Sequence, residues 1–317
     1  MRIETTRGAM AIRLRHAAGF YSSTDHLISQ AAPIVVAALE RGEPVAVAIR
    51  PRTERALVDA VGCLAGLIGF GRRDSVHHES GQTTAAHRAR ELRALVGEAG
   101  SATVLSEHSD RLDGLDGGFW TELDAAMNIA CADLPVNLTC FYPEVPLHLE
   151  VVRGARRNHP HLLVDGELRH NGNHRPPREV LAEHPVPAPL LLGPPDVQLR
   201  FTAWRLHEVR ATVEKLLISA GFGHDRADDV VLAVNEVATN AVEHGSLEAE
   251  LCVWTGADGV VCEVHDGGTL DDPLPGLRPP HPGEPRGRGV WISRQLCDLL
   301  HVWRDPRGTH VRIRAAP

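Results

Sequence analysis

The chain is cut by a stretch, "EHPVPAPLLLGPPD" (183 to 196), in which five prolines fall within fourteen residues. Proline has no backbone donor and drives the residue before it out of the helical region, so this stretch can be neither a helix nor a central strand. It reads as an extended linker, and the 317 residues are enough for an ordinary domain on each side of it. The expected division is a first unit over 1–186, the core of the linker over 187–196 and a second unit over 197–317.

Upstream, apolar strand-like runs alternate with helical patterns. Helices are expected near 24–41, 52–64, 83–98, 118–131 and 146–157, and strands near 45–49, 102–106 and 136–142. Such alternation predicts an α/β unit with a mostly parallel sheet. In "ERGEP", Gly42 serves as the stop of the first helix. Downstream the rhythm changes. A period-two strand, "VQLRFTAW", leads to helices over 205–220 and 225–244, the second capped by Asp225 and ended by Gly245. "AELCVWTGADGVVCEVHDGG" reads as a hairpin through "GADG". A Pro/Gly-rich loop (267–287), a helix (289–300) and two strands joined by "PRG" complete the order β-α-α-β-β-loop-α-β-β, an α+β sandwich of one sheet and one helical layer.

Composition excludes several classes. A formal charge of −8 and a pI near 6.2 give no basic footprint for nucleic acid. The amino-terminal "MRIETTRGAMAIRLRH" lacks a signal-peptide core and no run approaches 18 apolar residues, so a cytoplasmic protein without membrane contact is expected. The six cysteines (63, 131, 140, 252, 262, 297) show no CxxC spacing and sit mostly in apolar runs, as buried reduced thiols do. "HPH" (159–161) and "HH" (77–78) lack a third ligand at metal-site spacing, which argues against zinc. A P-loop is excluded because GK[ST] does not occur, and "VAVAIR" ends in Arg50 with no GxGxxG, HRD or DFG to accompany it.

In "NEVATNAVEHG" (235–245), Glu236, Asn240 and His244 recur every four residues and so share one helical face. An unpartnered buried carboxylate is costly, so the stripe faces either water or something that needs a carboxylate and an amide. Mg²⁺ prefers few protein oxygens together with phosphate oxygens and waters, which suits the second case. "HDGG" (265–268) ends a strand with a carboxylate followed by glycines that let a flat ring approach. "GRGVWIS" (287–293) opens a helix whose free N–H groups can receive phosphate.

In this order the three pieces make residues 197–317 resemble the Bergerat-type ATPase fold of gyrases, certain chaperones, histidine kinases and mismatch-repair proteins, and more narrowly the RsbW-type anti-sigma factor serine/threonine kinases. The closing "GTHVRI" (308–313) is similar as well. The resemblance implies ATP and Mg²⁺ as cofactors, with Asn240 as the Mg²⁺ ligand and Glu236 as the general base toward a substrate hydroxyl. It also implies nucleotide contacts from Asp266 at the adenine amino group, from Gly268, Gly287, Arg288 and Gly289, from Thr309, and from His244 on the same stripe. The loop 269–286 would be the ATP lid, mobile without nucleotide. The proline linker stands where a histidine kinase would carry its phosphorylatable helical hairpin, which favours transfer to a hydroxyl of a separate protein. The family's partners are a STAS-type anti-anti-sigma protein and a sigma factor; a homodimer stays open. A non-catalytic ATP-binding scaffold, or an ATPase that uses water as acceptor, stays open too.

"HAAGFY", "ALERGEPVAVAI", "DAAMN", "TCFY" and "RRNHP" make residues 8–182 resemble the MEDS sensory domain, fused to such ATPases and found in DcmR-like regulators. That implies a small organic ligand. His16, Tyr21, Asn128, Cys140 and Tyr142 are the candidate pocket residues, each with core packing as the alternative.

Overall fold

The computed structural model describes residues 13–62, 67–70, 80–113, 116–145, 148–269, 272–280, 283 and 288–317. A seven-stranded sheet in the first part has the order β3-β2-β4-β5-β1-β6-β7, formed by β1 (Arg15–Tyr21), β2 (Val45–Ala48), β3 (Leu67–Gly69), β4 (Ala102–Glu107), β5 (Val136–Pro143), β6 (His161–Val164) and β7 (Glu167–His170). All its pairings are parallel except β6 with β7. Helices α1 (Thr24–Glu40) and α2 (Pro51–Val61) pack around one apolar cluster built on Leu27, Val35, Leu57 and Phe141. Helices α3 (Gly81–Ala99), α4 (Gly118–Ala130), α5 (Leu149–Asn158) and α6 (Pro177–Glu183) surround another, built on Leu92, Trp120, Leu123 and Leu138. A parallel sheet covered on both faces explains the near-continuous apolar strands at 45–48 and 102–107.

The second sheet is antiparallel, in the order β11-β12-β10-β9-β8, from β8 (Val197–Phe201), β9 (Ala249–Gly256), β10 (Gly259–Asp266), β11 (Leu299–Asp305) and β12 (Gly308–Ala315). Its inward residues Leu251, Val253, Val260, Val264 and Ile313 pack under α7 (Leu206–Ser219), α8 (His224–Asn240) and α9 (Gly289–Leu296). Several local expectations change. Gly223, not Asp225, occupies the start of α8, and Asp225 sits in the first turn, where its charge favours the helix dipole. Beyond Asn240 the chain widens into a π turn over Ala241–Gly245, a feature frequent at functional sites. The last helix stops at Leu296 rather than 300, because Leu299 and Leu300 are taken into β11.

The two parts meet through a buried polar seam. The side-chain amide of Gln82, in the first turn of α3, behaves as a strand residue would toward β11: its Nε2 donates to the Val302 carbonyl at 3.1 Å and its Oε1 accepts the Val302 N–H at 3.0 Å. Thr83 Oγ1 donates to the Leu300 carbonyl at 2.9 Å and accepts the Leu300 N–H at 3.2 Å. His301 reaches Ser80 Oγ and the Pro187 carbonyl, at 2.7 and 2.8 Å. From α9, Arg294 donates to Gln82 Oε1 at 2.6 Å, to the Leu300 carbonyl and to the Pro275 carbonyl. Burial lowers its guanidinium to about 10, still charged at neutral pH. Leu274 and Leu277 of the loop before α9 are fully buried beside Trp303, in the same apolar cluster as Leu181 and Val186. The described part of that loop, 272–280, packs against β11 and α9 through these residues, and 270–271, 281–282 and 284–286 of the expected lid lie outside the described residues.

Replacing Gln82 by Leu strips buried partners from Val302, Arg294 and Glu122. A loss on the order of 3 kcal/mol is expected, read as a lower urea midpoint; an unchanged midpoint would show that water replaces the amide.

Candidate functional site

Glu236 and Asn240 lie one turn apart near the end of α8, both partly buried, and both face the first residue of α9. A Cβ built on Gly289 would stand 2.6 Å from Glu236 Oε2 and 3.2 Å from Asn240 Nδ2. Their stripe is turned toward the start of α9, not away from it. Ser293 fixes this arrangement, because its Oγ donates to Ala233 of α8 and to Gly289 of its own helix, both at 2.9 Å. The carboxylate and amide thus sit beside a helix N-terminus, whose backbone N–H groups favour anions.

Asp266 ends β10 opposite Thr309 of β12. It is 7% exposed, and burial raises its carboxyl above the ordinary range, opposed by the Gly268 N–H that donates to its Oδ1 at 2.7 Å. Three glycines make room for it. A Cβ at Gly245 would lie 2.1 Å from Asp266 Oδ1, one at Gly268 2.3 Å from the Gly245 Cα, and one at Gly308 (φ +138°) 2.0 Å from the Asp266 carbonyl. Thr309 Oγ1 donates to the Gly268 carbonyl at 3.3 Å, tying β12 to the same turn. No side chain larger than hydrogen fits at these three positions beside Asp266.

Of the residues expected to share a site, the structure sets Glu236 and Asn240 around Gly289, and Asp266, Gly268 and Thr309 around the turn after β10. The π turn links the two groups, since it follows Asn240 and ends at Gly245 against Asp266. His244 is exposed on that turn, where the wider winding breaks the four-residue spacing. Arg288 is exposed at the start of α9, and Gly287 lies outside the described residues. The contact of Gly245 and Gly308 with Asp266 joins "NEVATNAVEHG", "HDGG" and "GTHVRI", segments far apart in sequence.

In the first part, His16, Asn128, Cys140 and Tyr142 come together. His16 reaches Asn128 Oδ1 at 2.9 Å and Cys140 Sγ at 3.4 Å, and the Tyr142 hydroxyl donates to Asp124 at 2.6 Å. Tyr21 does not join them. It lies at the carboxyl end of β1, bonded to Glu107 and Arg50. Asp124 of "DAAMN" and His159 of "HPH" also meet here, the His159 ring lying 4.0 Å from that of His16. Burial lowers His16 to about 3 and His159 to about 4, so both imidazoles are neutral.

A Gly268→Ala substitution meets backbone and should destabilise the protein by about 1–3 kcal/mol, while Gly267→Ala, with open space at its Cβ, should have little effect. Thermal unfolding of the pair checks this; equal midpoints would mean that the turn yields freely.

Residues 199–315 match a family model described as a histidine kinase-like ATPase domain. No curated protein matches the chain. The second sheet and its helices are thus the part of the chain that is similar to histidine kinase-like ATPase domains.

Proposed function

We propose that this protein is an ATP-dependent serine/threonine kinase whose second part phosphorylates a STAS-type anti-anti-sigma protein in a sigma-factor partner-switching pathway in the cytoplasm, under control of a MEDS-like sensory first part. The observation that carries it is the facing of Glu236 and Asn240 onto Gly289, with the glycine-cradled Asp266 one π turn away.

The residues fit Mg-ATP: a carboxyl group for the adenine amine, glycines at both close approaches, and an amide and a carboxylate beside the N-terminus of α9. When bound, the nucleotide supplies the phosphoryl group and the cation offsets its charge. Asp266 would hold the adenine edge through the oxygen that Gly268 leaves to it. Asn240 would hold the cation, and Glu236 would accept the proton of an incoming hydroxyl, which must come within hydrogen-bond reach of the carboxylate. Residues 184–196 form no helix, so the acceptor hairpin of a histidine kinase is not placed directly before this domain, which favours an acceptor on another protein. Control by the first part is supported by the bond from Gln82 to Arg294, because α9 carries both Arg294 and Gly289.

Calorimetric titration of Mg-ATP into the full chain tests the reading. Asp266→Asn should weaken binding roughly 10- to 100-fold, from the 1.5–3 kcal/mol of a hydrogen bond to a charged group; unchanged affinity would sink the adenine role. Glu236→Gln should bind ATP as the wild type does but transfer no phosphoryl group to an added STAS protein. Persistent transfer would remove Glu236 as the base, and ATP turnover without transfer would point to water as the acceptor.

A further inference from the structure

Four ligand-type side chains meet deep in the first part, from four separate elements: His16 on β1, Asp124 on α4, Cys140 on β5 and His159 just after α5. Each is buried, and one ligand atom from each lies within 4.8 Å of the other three. His16 Nε2 stands 3.4 Å from Cys140 Sγ, and His159 Nε2 stands 3.9 Å from Asp124 Oδ1. Around a tetrahedral ion with bonds of about 2.0–2.3 Å, neighbouring ligand atoms are separated by about 3.3–3.8 Å. A small contraction of this cluster reaches that size.

The outer partners fix where the lone pairs point. The Asn128 amide donates through Nδ2 to the Asn158 carbonyl at 2.6 Å, which turns its oxygen to His16. His16 Nδ1 must then be the N–H, and its Nε2 carries the lone pair. The Nδ1 of His159 lies 2.7 Å from the Ala155 carbonyl and must likewise donate, so its Nε2 is a lone pair as well. That Nε2 is buried without a hydrogen-bond partner and looks toward a carboxylate oxygen, acceptor against acceptor. Leaving such an atom unpaired in the interior is costly, and a cation between the two acceptors removes the conflict. The remaining ligands are held in the same manner: Tyr142 donates to the other Asp124 oxygen, and Ser106 bonds Cys140. A complete ring of outer partners is the usual accompaniment of a metal centre.

We propose that His16, Asp124, Cys140 and His159 form a closed four-ligand site for a single borderline-soft divalent transition-metal ion of the zinc class. Two imidazoles, one carboxylate and one thiolate suit zinc or cobalt(II), and not magnesium or calcium, which take oxygen ligands. With four protein ligands and no exposed face, the ion holds the sheet to α4 and to the turn after α5 and leaves no open position for chemistry. "HPH" supplies only one ligand; the other three lie at sequence distances that no local motif spans.

The test uses the full chain without nucleotide. Elemental analysis after desalting should find about one zinc per chain. After metal removal, cobalt(II) should restore one equivalent of binding, with a thiolate-to-cobalt charge-transfer band and the intense visible bands of tetrahedral cobalt. The band assigns the ion to a site with a thiol, apart from the cation site at Asn240. Cys140→Ser should abolish it, and His159→Gln should weaken cobalt binding tenfold or more if the serine variant does not fold. Zinc should raise the melting temperature of the stripped wild type and not that of the variant. A folded, stripped protein that shows no charge-transfer band with cobalt, or a band that survives in Cys140→Ser, would overturn the assignment.

Discussion

The architecture turns on one substitution of side chain for backbone. The amide of Gln82 offers β11 the same donor and acceptor pair that a neighbouring strand would, and it does so from the first turn of a helix. That position is open only because Glu122 of α4 accepts both the Gln82 N–H and its Nε2, at 3.0 Å each. Buried polar groups must be paired, so the bonds to Glu122, Arg294 and Val302 stand or fall together. The location of α9, and of the loop that Arg294 ties down at Pro275, follows from that network.

Much of this was readable in advance, for identifiable reasons. Helices α1, α3, α4 and α8 announce themselves by apolar periodicity and by glycines at their ends, and β2, β4 and β5 by short apolar runs between turn signals. The central strand β1 did not. "RHAAGFY" has no β-branched residue, and small Ala17, Ala18 and Gly19 are chosen by close packing, with Gly19 lying against the Phe141 ring. β6 and β7 are four residues each and largely polar.

Around the candidate nucleotide site, the residues on one helix or one turn were legible because spacing along the chain equals spacing in space there. Glu236 with Asn240, and Asp266 with Gly268, are of this kind. Gly245 and Gly308 were not, since their meeting at Asp266 depends on strand register and on the π turn. The same π turn carries His244 off the stripe that a regular helix would have continued. In the first part the pattern repeats. "DAAMN" places Asp124 and Asn128 on one helical face, while His16, Cys140 and His159 become neighbours only once β1 and β5 pair and α5 returns the chain to them.

A sheet edge covered by side chains differs from one covered by a strand in what remains when the cover departs. The Leu300 amide and the Val302 amide and carbonyl need no refolding to lose Gln82 and Thr83; they stay in β11, aligned and unpaired, while Arg294 keeps the Leu300 carbonyl. Such an edge is a template for any extended segment that reaches it. Cutting the chain at the proline linker would therefore not yield an inert fragment, but one that presents an adhesive border to other copies of itself.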